Sequence, residues 1–354
     1  MRKFHTLKVV DKQTETPDSV RLTLQVPDEL KQEFDFLPGQ HLPIQIEVDG
    51  KPVRRTYSIC SSPGNGALQL GIRIQPGGVF SAYVANNLKA GDELEVMPPF
   101  GQFHANVDPG NRKTYLAFAA GSGITPILSI IRTTLECEPG SRVILFYGNR
   151  RQNTTMFIDD LYALKNRFAE RLQLNFFFTR EDQEFELFSG RLDKQKATAL
   201  YQLFCKNLEP DEAFVCGPDP MTDTVREALI ELGMNADVIH LERYGPPRRK
   251  PERASLTAEE LDCDVTVIMD GHKKSFRMSS TGTNVVDAAA AQGIELPYSC
   301  KGGVCATCRT HVRQGEVRMD TNYGLEPWEL EAGYVLACQS HPVSKRLTLD
   351  YDKT

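Results

Sequence analysis

Short runs of alternating apolar and polar residues dominate the first hundred positions. Residues 20–26 alternate as a half-buried strand does, and residues 68–74 repeat the pattern. Pro38-Gly39, Pro63-Gly64 and Gly77-Gly78 punctuate these runs. Many short strands without a long helical pattern predict a small antiparallel β-barrel over residues 1–106. From about residue 110 the rhythm changes. Residues 115–120 form a continuous apolar run that stops at Gly121, and residues 127–135 have helical spacing. Further strand-like runs follow at 143–147, 172–178 and 213–216, separated by helical stretches. Strand alternating with helix predicts a parallel sheet with helices on both faces over 107–244. Three prolines and three bases crowd residues 245–251, so 245–260 reads as an exposed, semi-stiff linker. The remainder, 261–354, is a small domain. It has a hairpin over 263–278, a short helix over 284–292 with Asn284 as cap, Asp287 three residues on and Gly293 as stop, and a closing strand at 346–351.

The chain's 354 residues allow two or three domains at roughly 100–200 residues each. A net charge of -6 argues against nucleic acid as a partner, which needs a concentrated basic surface. The first residues lead into a polar strand pattern and not an apolar signal core. No apolar run approaches the roughly 18 residues that span a bilayer. A cytoplasmic protein without a membrane partner is the expectation. Cysteine changes the picture more. Of nine, Cys300, Cys305 and Cys308 are crowded and Cys338 follows at a distance. An odd, uneven count is a poor disulfide framework and a good metal-ligand pattern.

The intervals of four residues, two residues and a long gap suit a two-iron two-sulfur cluster held by four thiolates. A structural zinc site is the alternative, but it more naturally uses paired Cys-x-x-Cys knuckles. Gly302 and Gly303 can take positive φ and let the backbone approach the cluster. Lys301 and Arg309 flank the loop, giving it an expected local positive character that an acidic acceptor would meet. Including Pro297-Tyr298-Ser299, the tail resembles plant-type ferredoxins, which implies an α+β ferredoxin-like (β-grasp) fold. It departs from free ferredoxins in charge: 12 acids stand against 10 bases in 261–354.

Arg55-Thr56-Tyr57-Ser58, then Gly77-Gly78-Val79-Phe80-Ser81, resemble the Arg-x-Tyr-Ser and Gly-x-x-Ser segments of the ferredoxin–NADP reductase family. The resemblance implies FAD, with Arg55 on its pyrophosphate, Tyr57 on its ring, Ser58 at the N5 edge, and Gly77, Gly78 and Ser81 shaping the phosphate cradle at a helix start. Gly121-Ser122-Gly123-Ile124-Thr125-Pro126 lies between a strand and a helix, the context in which a glycine-rich string carries meaning. With Cys216-Gly217-Pro218 it resembles the family's nicotinamide site, which implies Cys216 beside the nicotinamide C4. The other reading of Cys216 is a small buried residue at a strand end. Glu242 and Tyr244 match an acid and an aromatic that the family places against the flavin.

A carboxylate on the ribose 2′-OH would favour NADH and a cation NADPH. Arg150 follows the second predicted strand, and Thr179-Arg180 follows the third and resembles the family's 2′-phosphate pair, so NADPH is expected, with NADH possible. With this domain order, and with Pro38-Gly39-Gln40-His41, Tyr147-Gly148-Asn149-Arg150, His240-Leu241-Glu242-Arg243 and Cys338-Gln339-Ser340-His341, the whole length resembles the reductases of multicomponent monooxygenases of the phenylacetyl-CoA epoxidase type. That implies electron flow from nicotinamide through FAD and the cluster to a di-iron oxygenase component. Reductases for other oxygenases or for hybrid-cluster proteins share these motifs. A non-catalytic redox sensor is the remaining alternative, and it would not need a complete hydride site.

Overall fold

The computed structural model describes residues 3–64, 66–244, 261–325 and 327–353. The alternating runs of the first hundred residues become β1 (His5–Thr16), β2 (Ser19–Gln25), β3 (His41–Val48), β4 (Lys51–Ser58), β5 (Ala67–Arg73) and β6 (Glu93–Val96), with one helix, α1 (Val79–Asn86), before β6. They pair antiparallel in the order β4-β3-β6-β1-β2-β5. Ile59 bridges to Leu70, and the Cys60 N–H donates to the Gln69 carbonyl at 2.9 Å, which brings the outer strands together as a barrel. Inward positions such as Leu7, Leu22, Ile44, Leu70 and Phe80 form its core. Each such side chain contributes about 1.5–3 kcal/mol by leaving water.

The second pattern becomes β7 (Thr114–Ala120), α2 (Ile124–Cys137), β8 (Arg142–Asn149), α3 (Ile158–Arg167), β9 (Leu172–Phe178), α4 (Lys194–Phe204), β10 (Glu212–Gly217), α5 (Asp219–Glu231) and β11 (Ile239–Arg243). All pairs in this sheet are parallel, in the order β11-β10-β7-β8-β9. One apolar layer, with Ile127, Ile131 and Leu161, lies under α2 and α3; the other, with Ala197, Leu200 and Val225, lies under α4 and α5. The edge strand β11 is not among the runs that the pattern predicts. At five residues, with His240, Glu242 and Arg243 polar, its apolar signal is too thin to read. The chain moves outward from β7 to β8 and β9, then returns to β10 on the other side of β7. The crevice at the carboxyl ends of β7 and β10 is therefore the switch point of the sheet.

Barrel and sheet belong to one compact unit, Phe4–Tyr244. Asp160 on α3 pairs with both Arg21 of β2 and Arg132 of α2, and Arg21 also pairs with Glu15 at 2.7 Å. Glu15 accepts the N–H of Phe157 at 2.8 Å, and the Arg21 guanidinium lies 4.8 Å over the Phe157 ring. Charges and ring together join strand to helix across the boundary between the two sheets.

A separate compact unit holds the C-terminal elements. They are β12 (Asp262–Met269), β13 (His272–Ser279), α6 (Val285–Ala291), β14 (Arg309–Gln314), β15 (Val317–Met319), α7 (Pro327–Glu331), β16 (Tyr334–Leu336), β17 (Ser340–Pro342) and β18 (Arg346–Asp350). The larger sheet is mixed, in the order β13-β12-β18-β14-β16, with β12 and β18 parallel. Val285, Val286, Ala288 and Ala289 bury one face of α6 in its core. The Asn284 side chain accepts the Asp287 N–H at 3.0 Å, as the cap pattern predicts. The expected linker over 245–260 lies outside the described residues.

Candidate active site and iron–sulfur centre

The flavin-type motif sits on β4 with its side chains sorted by strand alternation. Arg55 is exposed and Tyr57 half-buried on one face, while Arg54 and Ser58 are buried on the other. Arg55 donates to the Arg54 carbonyl at 2.7 Å, and the Tyr57 ring lies 5.3 Å from Phe80 at the start of α1. Gly77 and Gly78 lead into α1, where Gly78 is the N-cap without a side-chain cap bond. The Ser81 hydroxyl turns inward, accepting the Gln75 N–H at 3.0 Å and donating to the Gly78 carbonyl at 3.3 Å. It holds the turn, at which Gly77 is exposed, and an exposed glycine turn at a helix start fits a phosphate cradle.

The nicotinamide-type motifs meet at the switch point. Gly121–Gly123 is one tight turn after β7, and Thr125 and Pro126 are buried in the first turn of α2. Gly217 ends β10, and the exposed Pro218 caps α5. A Cβ on Gly123 would stand 2.2 Å from the Cys216 carbonyl oxygen, so only glycine lets this turn close onto β10. Arg150 follows β8, and Thr179 and Arg180 follow β9, all exposed. The Arg180 N–H donates to the Arg150 carbonyl at 3.0 Å, so these two arginines stand side by side. The neighbouring Glu181 carboxylate accepts the Gln152 N–H at 3.0 Å. The sequence reading did not weigh Glu181.

One side-chain network joins the two halves. Glu242, at the end of β11 and 7% exposed, accepts from the Ser58 hydroxyl at 3.2 Å and lies 3.9 Å from the Cys216 thiol. Its other oxygen is 3.1 Å from His41 Nδ1. The Tyr244 hydroxyl bonds Ser58 at 2.9 Å and Thr125 at 3.1 Å, bridging barrel and sheet. Burial first, and then the Glu242 carboxylate, push the Cys216 thiol well above its ordinary range, so it stays protonated. A neutral thiol packs and positions; it is no nucleophile. His41 is the member to which sequence reasoning assigned no role. The cross-strand pairing His41↔Ser58 places it here, and a hairpin register drawn through the Arg-x-Tyr-Ser segment could have found it.

In the C-terminal unit the thiols are arranged in pairs. Among the described residues, no three His, Cys, Asp or Glu side chains converge as on a single ion. Cys300 instead stands with Cys305, each N–H pointing at the other's sulfur at 3.4 Å, and Cys308 stands with Cys338, whose neighbour Ala337 donates its N–H to the Cys308 carbonyl at 3.1 Å. The neighbouring thiol of each pair holds Cys300 and Cys338 below the ordinary thiol range. The N–H groups of Gly302 and Cys305 point at the Cys300 sulfur at 3.3 and 3.4 Å, and Gln339 Nε2 reaches the Cys338 sulfur at 3.5 Å. Two pairs of thiols with inward N–H donors fit two irons, and they do not fit one zinc ion. The loop's positive φ angles fall at Lys301, Gly303 and Ala306, and not at Gly302. Lys301 is held in this costly conformation because Gln339 Nε2 donates to its carbonyl at 2.8 Å and its ammonium pairs with Asp287 at 2.6 Å. The expected positive rim is also corrected. Arg309 pairs with the buried Glu329 at 2.6 Å and lies 3.6 Å over the Tyr334 ring, so its charge is spent within the fold.

Family models match along the chain: an oxidoreductase FAD-binding domain at residues 6–105, an oxidoreductase NAD-binding domain at 118–227, and a 2Fe-2S iron-sulfur cluster binding domain at 267–343. The chain is 43% identical over 352 residues, 99% of each chain, to a subunit of the 1,2-phenylacetyl-CoA epoxidase from Escherichia coli (strain K12). It belongs to the family of oxygenase reductase components. The ferredoxin reductase component of 3-ketosteroid-9-alpha-monooxygenase from Rhodococcus rhodochrous is 34% identical over 95% of this reductase and 94% of that chain. In architecture the reductase matches phthalate dioxygenase reductase with a TM-score of 0.61 over 98% of both chains, at 23% identity. It is thus an oxidoreductase with sites for FAD, a nicotinamide dinucleotide and a 2Fe-2S cluster. Among the described residues no helix is long and apolar enough to cross a membrane.

Proposed function

We propose that this reductase draws electrons from NADPH and delivers them, through FAD and the 2Fe-2S cluster, to the di-iron oxygenase component of a phenylacetyl-CoA 1,2-epoxidase in the cytoplasm. The observation that carries this reading is the 43% identity to a component of that epoxidase over 99% of both chains. Bound FAD supplies the conversion from a two-electron donor to one-electron delivery that a cluster needs. The chain's own residues do the positioning. Arg55 and the turn at Gly77, Gly78 and Ser81 hold the pyrophosphate, and Tyr57 covers the ring. Gly121, Gly123, Thr125, Pro126, Gly217 and Pro218 form the nicotinamide strap. Arg150, Thr179 and Arg180 take the 2′-phosphate. Ser58, Cys216 and Glu242 surround the point of transfer, Ser58 on the flavin side and Cys216 on the nicotinamide side. Tyr244 closes it, and its bonds to Ser58 and Thr125 must break for a nicotinamide to reach Ser58. Cys300, Cys305, Cys308 and Cys338 ligate the cluster.

The complete hydride-transfer constellation speaks against a redox sensor. Glycine betaine monooxygenase reductase from Pseudomonas aeruginosa, 29% identical over 90% of this chain and 88% of its own, keeps a different oxygenase as the second reading. Reconstitution decides between them. Purified reductase, NADPH, dioxygen and the epoxidase oxygenase should consume phenylacetyl-CoA with one NADPH oxidised and one dioxygen split, to epoxide and water, per turnover. Idle NADPH in that mixture, with brisk oxidation beside another oxygenase, would reject the epoxidase.

A further inference from the structure

Tyr351, just past β18, is buried at 8% exposure, and its hydroxyl has no hydrogen-bond partner among the described residues. Its backbone is fixed, the N–H donating to the Ile268 carbonyl at 2.9 Å. The register pairs Leu349 with Val312 and Asp350 with His311, so Tyr351 comes level with Thr310, two residues from Cys308. Leu347, Leu349 and Tyr351 alternate onto the face that carries Cys308 and Cys338 in the same core. An unsatisfied buried hydroxyl destabilises the fold, and phenylalanine would fill the same space without that cost. Burial raises the phenol's pKa well above its usual value, and the next causes are the Cys308 and Cys338 thiols. With no described partner in hydrogen-bond range, the hydroxyl stops short of both thiols in the core that holds them.

We propose that the Tyr351 hydroxyl is a positioning donor for the cluster, hydrogen-bonding sulfur that arrives with it beside the Cys308–Cys338 pair and raising the reduction potential. The assignment rests on the 2Fe-2S reading of the four cysteines. Ligand thiolates and bridging sulfides are acceptors, and a donor aimed at them favours the more negative, reduced form. The lone hydroxyl is thus explained by an acceptor that arrives with the cluster.

Spectroelectrochemical titration of the full-length, cluster-loaded protein tests this. Tyr351→Phe should shift the cluster's reduction equilibrium about tenfold toward the oxidised form, about 59 mV for one electron, leaving the FAD midpoint where it was. 3-Fluorotyrosine placed at position 351 keeps the shape and strengthens the donor, so it should shift the cluster in the opposite direction. That second variant decides the matter if Tyr351→Phe fails to fold. A cluster midpoint equal to wild type in either loaded variant overturns the proposal. Wild-type protein without the electron paramagnetic resonance signal of a reduced cluster would instead overturn the cluster reading beneath it.

Discussion

Cys216 shows what a residue's surroundings add to its motif. Its neutral thiol touches a carboxylate at the switch point, and the geometry leaves it packing and alignment as its work. Cys216→Ala should slow flavin reduction by NADPH at least tenfold while changing the dissociation constant about threefold or less, since alignment governs near-attack geometry. Stopped-flow bleaching of the flavin reads this step alone, and an unchanged rate returns Cys216 to a packing role. Arg180→Ala should weaken NADPH binding about 10- to 150-fold and NADH binding little, because a charge-assisted contact is worth about 1.5–3 kcal/mol. Equal losses for the two dinucleotides would remove the 2′-phosphate from this arginine. The cysteines were legible because metal ligation imposes sequence spacing. His41 was not, because its place beside Ser58 is set by cross-strand pairing, which leaves no interval to count.

Elements were legible where one face is apolar and long, as in β9 and α2, and illegible where they are short and polar, as in β11. The bond between elements is a different matter. Asp160 faces Arg21 and Arg132 with side chains under one-fifth exposed, and removing it leaves, among the described residues, part-buried Arg132 without a carboxylate and Arg21 with Glu15 alone. Asp160→Ala should cost about 3 kcal/mol. For a unit of this size that lowers the thermal midpoint by about 6–12 °C. Differential scanning calorimetry of the FAD-free protein gives the answer, and a midpoint within 2 °C of wild type would show that apolar packing alone joins barrel to sheet. Nothing in residue spacing announces this clamp, because its members come from three elements and each reads as an ordinary surface charge.

For the whole molecule, the order of cofactors is testable by breaking the last link. Cys305→Ser in the full chain should abolish the cluster's visible bands and electron delivery to the oxygenase, yet keep NADPH–ferricyanide activity within about twofold, since reduced flavin can serve that small acceptor directly. Loss of both activities in a folded, flavin-loaded variant would break the proposed sequence of transfer. The ion pairs Lys301–Asp287 and Arg309–Glu329 bear on how the acceptor is found. A loop whose cations are matched within the fold casts little field beyond itself. The oxygenase is then met by unaided collision, at about 10⁵–10⁶ M⁻¹s⁻¹, and the rate should barely change between 50 and 500 mM salt. A loop that attracts no partner from a distance also repels none. Several oxygenases sharing one cell would all be sampled, and only the fit at contact would keep electrons from leaking to the wrong one.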